Sequence, residues 1–352
     1  MNFSSDNWAG VHPAISEALA NAAGGFDPAY GSGEWDKRAA ARFSEVFERE
    51  VEVVFAATGT AANALSMAAC NRVGGIGFCH SEAHMNVDEF GAMGFYTGGA
   101  RMFPVAGPLG RMTPDALDTA INRFSKDLAP AGQPMVVSVT QATEIGTVYA
   151  LDEIAAVGEI AKRHKLPFHM DGARFANALV ALGATPADMT WRRGVDIMSF
   201  GATKNGCWIA DAVIVFNRDL GRDLVNIRQR AGQGFSKSRF IAAQFEAYLS
   251  DDLWLSSASH ANAMSAKLAQ AIGHSNRVRL AWSPQANEIF AIMPASLRQS
   301  LLTEGARFHE WGKPASFDGE LGSDEVIVRF VTSFATSEAE IDHFMKLLNE
   351  SE

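Results

Sequence analysis

Three side chains with complementary chemistry follow two apolar, strand-like runs in the middle of the chain. Asp171 and Arg174 come directly after the run at residues 166–170, and Lys204 follows the run at residues 195–200. Residues just past the carboxyl ends of strands in an α/β sheet face the ligand crevice, so we expect all three in one crevice. A carboxylate that can hold a protonated ring nitrogen, and an amine that can bond to an aldehyde, are what a pyridoxal phosphate site requires.

An upstream turn provides a candidate site for the phosphate. A strand-like run at residues 51–56 is followed by Thr58, Gly59 and Thr60, and then by a helical apolar pattern. Small residues let the backbone approach an anion, and a helix N-terminus offers unpaired N–H groups at the positive end of its dipole. Such turns are common, so this one is informative only together with Lys204. It is not a GxGxxG motif, and a dinucleotide site is therefore poorly supported.

Two histidines stand four residues apart, with Glu82 between them. On a helix, His80 and His84 could form a metal pair, but the motif is not HExxH and no third ligand follows. We therefore expect no metal. For His84 the functional interpretation is an imidazole lying against a cofactor ring, and the alternative is a hydrogen-bonded core histidine.

The surrounding elements predict an α/β fold with a mostly parallel central sheet and helices on both faces. The apolar run at residues 134–140 is typical of a strand buried on both sides. An amphipathic helix at residues 151–165 follows, and the next strand ends at Asp171, which makes a crossover unit. A further helix, rich in arginine, is predicted over residues 219–230.

The order of the elements also predicts how the chain is divided. We expect an N-terminal arm at residues 1–12, a large cofactor-binding domain at residues 13–240, and a small C-terminal domain at residues 241–352. The last of these is an α+β unit with predicted strands at residues 277–280, 288–293 and 326–330.

Composition limits the classes of partner. The net charge of −10 argues against nucleic acid or an anionic membrane surface as the main partner. No apolar run approaches the ~18 residues of a membrane span, and the first residues lack the pattern of a signal peptide. The three cysteines, Cys70, Cys79 and Cys207, have no metal-type spacing and fit reduced thiols. We expect a cytoplasmic protein.

Several segments together resemble the threonine aldolase/β-eliminating lyase family of pyridoxal phosphate enzymes. The similar segments extend from Ser5 to Phe334, and their order and spacing are more specific than any one of them. They are SSDN, AYGS, ATGTAANALS, HSEAHMNVDEFG, MDGARFANAL, SFGATKNG and VRFVTSF. The resemblance implies the fold of the aspartate aminotransferase group, known as fold type I. It also implies a homo-oligomer, a dimer or tetramer, with active sites at the subunit interface.

The resemblance assigns roles around the cofactor. Lys204 matches the lysine that binds pyridoxal phosphate covalently, and Asp171 matches the acid that holds the proton of the ring nitrogen. Gly59 and Thr60 match the phosphate loop. His84 matches the histidine that stacks on the ring, and it is our first candidate for the catalytic base.

Three further residues match positions that bind the substrate. Arg174 matches a residue on the side of the cofactor or substrate anion, and Ser5 and Arg329 match residues that hold the α-carboxylate. One departure concerns the loop after the strand that ends at Thr140. Several family members have a histidine there near the β-hydroxyl group, whereas this chain has Glu144 in that region.

The implied reaction is retro-aldol cleavage of small L-β-hydroxy-α-amino acids to glycine and an aldehyde. L-Threonine, L-allo-threonine and L-phenylserine are the expected types of substrate, and Glu144 leaves the preferred β-substituent open. β-Elimination or transamination would use the same lysine and acid. The residues also leave open a non-catalytic ligand-binding protein, and a metal-dependent lyase that uses His80 and His84.

Overall fold

A seven-stranded sheet forms the centre of the computed structural model, which describes residues 1–124 and 131–350. Its strands are β1 (Glu52–Ala56), β2 (Gly75–His80), β3 (Arg101–Val105), β4 (Gln133–Thr140), β5 (Phe168–Gly172), β6 (Ile197–Gly201) and β7 (Asp211–Val215). They lie in the order β1-β7-β6-β5-β4-β2-β3. β7 is antiparallel to both of its neighbours, and the other pairs are parallel. The carboxyl ends of β5 and β6 therefore meet at one edge.

Helices surround this sheet and supply the rest of its core. In chain order they are α1 (Pro13–Ala22), α2 (Glu34–Val46), α3 (Gly59–Ala69), α4 (His84–Val87), α5 (Ala92–Thr97), α6 (Pro114–Asn122), α7 (Leu151–Arg163), α8 (Phe175–Leu182), α9 (Pro186–Met189), α10 (Arg218–Gly221), α11 (Leu224–Arg230), α12 (Arg239–Tyr248), α13 (Leu253–Gly273), α14 (Ala295–Thr303) and α15 (Glu338–Glu350).

Both faces of the sheet are apolar because side chains alternate along each strand. In β6, Ile197 belongs to the apolar cluster that includes Leu65 of α3, whereas Met198 and Phe200 belong to a separate cluster with Phe43 of α2. A strand buried on both sides needs apolar residues at successive positions, as predicted for β4 and β6.

A second sheet of four antiparallel strands lies in the C-terminal third. It consists of β8 (Arg279–Leu280), β9 (Glu288–Pro294), β10 (His309–Trp311) and β11 (Glu325–Val331), in the order β10-β11-β9-β8. Phe3 from the N-terminus is fully buried in the core of this unit, beside Phe330 and Phe344. Burying one such ring contributes about 1.5–3 kcal/mol, which fixes the first residues against the second sheet.

The predicted fold class is confirmed, one detail of the sequence-based assignment is wrong, and one strand was missed. The helix expected over residues 219–230 is two helices, α10 and α11, because Asp223 has non-helical backbone angles (φ −106°, ψ 0°). β10 was not anticipated, since three residues are too few to show a strand pattern. The division into an arm and two domains stays a prediction. Within the described residues, every helix is too short or too polar to span a bilayer.

Candidate active site

A cavity of about 330 Å³ lies at the edge of the large sheet where β5 and β6 end. Its wall includes Gly59, Thr60, His84, Asp171 and Lys204, so five of the predicted site residues lie together. Asp171 comes from β5, and Lys204 comes from a short 3-10 turn directly after β6. The crossover connections of the parallel strands thus bring together residues that are far apart in the chain.

Three donors fix the orientation of the Asp171 carboxylate, which is almost fully buried. Its Oδ2 accepts from Asn63 Nδ2 at 2.9 Å, and its Oδ1 accepts from the Ala173 N–H at 3.1 Å and from Ser199 Oγ at 3.4 Å. Such a carboxylate is held in one position and can accept from, or share a proton with, a ligand nitrogen in the cavity.

The turn that carries Lys204 is anchored on both sides. Asn205 Nδ2 donates to Tyr248 Oη and to the Trp254 carbonyl, each at 2.8 Å, and Thr203 Oγ1 donates to Asp211 Oδ2 at 3.0 Å. Burial raises the pKa of Asp211 to about 6, although the Thr203 hydrogen bond and the nearby Lys204 charge oppose that shift. The lysine amine is therefore presented to the cavity from a rigid support.

The start of α3 can receive a phosphate group. Thr58 caps the helix, because its Oγ1 accepts from the Ala61 N–H at 3.1 Å. Gly59 and Thr60 occupy the first turn, where N–H groups have no partner inside the helix. Open space surrounds Gly59, where an added Cβ would meet no atom within 4 Å. These features fit an anion at the positive end of the helix dipole.

His84 is held by an acid that sequence analysis did not single out. Its Nδ1 lies 3.0 Å from Glu89 Oε1, which also accepts from Asn63 Nδ2 at 2.8 Å. Asn63 thereby links Glu89 to Asp171. The hydrogen bond with Glu89 raises the pKa of His84 against the opposing effect of burial. Glu89 Oε2 and Asn63 Oδ1 are buried without a hydrogen-bond partner in the described structure, as expected of a cavity that receives a polar ligand.

The other three predicted residues do not line this cavity, and they form an adjoining cluster. Arg174 is buried and binds Asp6 through Nε at 2.8 Å and Nη2 at 3.0 Å. Arg329 Nη1 lies 3.5 Å from Glu288, and its guanidinium stacks over Trp311. Ser5 Oγ accepts from the Asn7 N–H at 3.1 Å, and Asn7 is part of the cavity wall.

Asp6 connects this cluster to the cavity. Burial alone would raise the pKa of Asp6, but the charge of Arg174 lowers it, and Lys204 is close enough to lower it further. Asp6, Asn63, Glu89, Asp211 and Glu288 were all missed by sequence reasoning. Asp6 stands next to Ser5 and Glu89 lies in the segment after His84, so the similar segments contained both without marking them.

The hydrogen bonds of His80 bear on the hypothesis of a metal site. His80 Nε2 lies 3.1 Å from the Gly107 carbonyl, and His80 Nδ1 accepts from the Glu82 N–H at 3.1 Å. Both ring nitrogens of His80 are therefore engaged by backbone. In residues 1–124 and 131–350, no group of three or more His, Cys, Asp or Glu side chains could hold a metal ion.

Fold and cavity together define a pyridoxal-phosphate-dependent α/β enzyme, with a lysine, a ring-nitrogen acid and a phosphate-binding helix N-terminus in one cavity. The sequence model of the beta-eliminating lyase family matches residues 2–295. The chain belongs to this family.

Curated relatives and solved structures agree with that assignment. The chain is 39% identical to a low specificity L-threonine aldolase of Pseudomonas aeruginosa, over 95% of this chain and 93% of that protein. It is 37% identical to a protein of the same name from a Pseudomonas species, over 96% of this chain and 94% of that protein. The structure of Leishmania major threonine aldolase superposes with a TM-score of 0.91 at 26% identity, covering 99% of this chain and 98% of that one.

Proposed function

We propose that this protein cleaves L-β-hydroxy-α-amino acids of the L-threonine, L-allo-threonine or L-phenylserine type to glycine and an aldehyde. The observation that carries the proposal is the cavity that holds Lys204 and Asp171 in a chain similar over nearly its whole length to low specificity L-threonine aldolases. The reaction breaks the Cα–Cβ bond, and the electron pair of that bond stays on Cα until a proton replaces the lost group.

Five residues would hold the cofactor. Lys204 would bind it through its amine, Asp171 would keep a proton on the ring nitrogen, and the N–H groups of Gly59 and Thr60 would bind the phosphate. His84 would lie against the ring face. When bound, pyridoxal phosphate supplies an electron-accepting ring that stabilises the charge developing on Cα.

The adjoining cluster would fix the substrate's α-carboxylate. Arg329 is the main candidate, since its Nε is buried without a hydrogen-bond partner in the described residues. Arg174 already binds Asp6 with two of its nitrogens and contributes mainly charge and position. Ser5 stands in the chain between Ser4, whose carbonyl accepts from Arg329, and Asp6, which binds Arg174, and it would supply a hydroxyl group. A carboxylate held in this way sets the orientation of the Cα–Cβ bond, which is worth a large part of the rate enhancement.

We propose His84, or a water molecule that it binds, as the base that removes the β-hydroxyl proton. Its hydrogen bond to Glu89 orients the ring and stabilises the protonated form. Glu144 is the second candidate. It is buried and close enough to His84 for their charges to interact, so it can influence both the base and the β-substituent.

Replacing Glu89 with Gln will move the acid limb of the kcat/KM profile to lower pH. Glu89 raises the pKa of His84, and the neutral form is the active base, so removing the carboxylate lets His84 lose its proton at lower pH. The profile is measured with L-threonine between pH 5 and 9. Glu82→Gln removes the same charge from a residue that contacts His80, and it should keep the wild-type profile. An acid limb that stays in place in Glu89→Gln would remove His84 from the role of base.

The reaction itself is tested by product identity. Holoenzyme is given L-threonine and, separately, L-threo-phenylserine, and glycine and the matching aldehyde are assayed together. Equal amounts of glycine and aldehyde support the proposal, and the ratio of the two rates gives the preferred β-substituent. A keto acid as product would instead indicate β-elimination or transamination, which would use the same Lys204 and Asp171.

We further propose a cytoplasmic homo-oligomer with active sites at the subunit interface. Large apolar side chains are exposed next to the residues that line the cavity: Trp8 beside Asn7, Phe90 beside Glu89, and Trp208 four residues after Lys204. Large apolar side chains exposed around a site favour its association with another surface. Light scattering should give two or four times the chain mass, and a monomer mass at assay concentration would contradict the proposal. Free, buried thiols at the three cysteines support the cytoplasmic assignment.

A further inference from the structure

A buried carboxylate links the two arginines of the substrate cluster. Glu288 begins β9, and its side chain has 0% exposure. Its Oε2 lies 3.2 Å from Arg174 Nη1, and its Oε1 lies 3.5 Å from Arg329 Nη1. Glu288 thus occupies one side of the Arg329 guanidinium, which would receive the substrate carboxylate, and one side of the Arg174 guanidinium.

The charges around Glu288 come from four different elements. Arg174 precedes α8, Arg329 lies on β11, Glu144 lies in the segment between β4 and α7, and Asp6 lies in the N-terminal segment. Two cations therefore face three carboxylates. A substrate carboxylate adds a further negative charge in a place where little water can screen it. An uncompensated buried charge is strongly unfavourable, so neutralising one of the carboxylates favours binding of the substrate carboxylate.

Of these carboxylates, Asp6 and Glu288 contact Arg174 directly, and their hydrogen bonds show which of the two is held less firmly. Asp6 accepts from Arg174 Nε, Arg174 Nη2 and Asn287 Nδ2 at distances of 2.8–3.0 Å. Glu288 accepts a single long hydrogen bond, from Arg329 at 3.5 Å, and its buried Oε2 forms an ion pair with Arg174 Nη1 at 3.2 Å that lacks hydrogen-bond geometry. Carboxylates that accept several good hydrogen bonds keep their charge, and those that do not are neutralised first.

We propose that Glu288 takes up a proton from solvent when the substrate's carboxylate binds at Arg329, so that Glu288 is a positioning residue that couples substrate binding to proton uptake. This inference rests on the proposed function, because it needs an α-carboxylate ligand at Arg329. Protonation releases Arg329 Nη1 for the incoming carboxylate and leaves Arg174 paired with Asp6.

The ionisation of Glu288 in the free protein makes this uptake accessible near neutral pH. Burial raises the pKa of Glu288 to about 7, against the opposing charges of Arg174 and Arg329. The protonated form binds the substrate carboxylate better. Affinity is therefore greatest below pH 7 and is lost as the pH rises through that value, by about tenfold per pH unit at the limit of one proton.

Glycine binding to the holoenzyme tests the coupling without any need for turnover. The dissociation constant is obtained from the absorbance change of the bound cofactor between pH 6 and 9, for wild type, Glu288→Gln and Glu310→Gln. The dissociation constant of wild type divided by that of Glu288→Gln should rise by about tenfold per pH unit above pH 7. Ionisation of the glycine amine affects both constants equally and cancels in this ratio. Glu310, an exposed residue of β10 paired with Arg298, is the matched control and should give a ratio that does not change with pH.

A second measurement uses the wild type alone, in case Glu288→Gln does not fold. Infrared difference spectra are recorded on adding glycine with a ¹³C-labelled carboxylate, and a new band of an unlabelled protonated carboxylic acid is expected. A ratio that stays flat with pH, or the absence of this band while glycine is bound, overturns the role of Glu288. Failure of the holoenzyme to bind glycine at all would instead remove the proposed function.

Discussion

Lys204→Ala will lower kcat for glycine and aldehyde formation by on the order of 10³-fold or more, because it removes the amine that would bind the cofactor in the cavity. Lys204 is the only lysine in the described part of the chain that lines this cavity. Its turn is fixed by the hydrogen bonds of Asn205 and Thr203, so the amine has a defined place in the cavity wall. Rates with L-threonine and the absorbance of bound cofactor are the two measurements.

Two further variants separate the amine from its charge. Lys204→Arg keeps a cation beside Asp171 and Asp211 but provides no nucleophilic amine, so it should be as inactive as Lys204→Ala. Lys162→Ala removes an exposed lysine of α7 that pairs with Glu159, and it should behave as wild type. Substantial turnover in Lys204→Arg would show that charge, and not covalent binding, is what this residue contributes.

The part of the site that sequence reasoning could predict lies at the ends of regular elements. Asp171 and Lys204 follow apolar runs long enough to identify β5 and β6, and Gly59 and Thr60 begin a helix that follows a strand. The rules that connect parallel strands then bring these ends to one edge. Local pattern and fold rules were therefore sufficient for the cavity that would hold the cofactor.

The adjoining charged cluster could not be predicted in the same way. Arg174 and Asp6 are separated by 168 positions, and Asn287 and Asp6 by 281. Such pairs depend on how the N-terminal segment packs between the two sheets, and hydrophobic periodicity contains no information on that packing. Glu288 occupies the first position of an otherwise apolar buried strand, where a carboxylate is unexpected without its partners Arg174 and Arg329.

Asp171→Asn will lower kcat by on the order of 10²–10³-fold while leaving much of the cofactor binding intact. Asn has the size of Asp but no charge, so it cannot stabilise a protonated ring nitrogen. In addition, the Asp171 carboxylate accepts from Asn63, Ala173 and Ser199, and an amide nitrogen at either oxygen position would face another donor. Because one hydrogen-bond acceptor is lost, the substitution should also lower the stability of the folded protein, which the loss of charge alone would not do.

Two comparisons distinguish the chemical effect from the structural one. Ser199→Ala removes the 3.4 Å hydrogen bond to Asp171 Oδ1 and the 3.3 Å hydrogen bond from the Gly172 N–H, and it should lower kcat much less than Asp171→Asn does. Asp171→Glu keeps the charge but displaces it by one methylene group, so its activity should lie between those of wild type and Asp171→Asn. Thermal unfolding without cofactor measures the structural loss in each variant. If kcat of Asp171→Asn stayed within about threefold of wild type, the acid of the ring nitrogen would have to be sought elsewhere, and Asp211, a carboxylate beside Lys204 in the cavity wall, would be the next candidate.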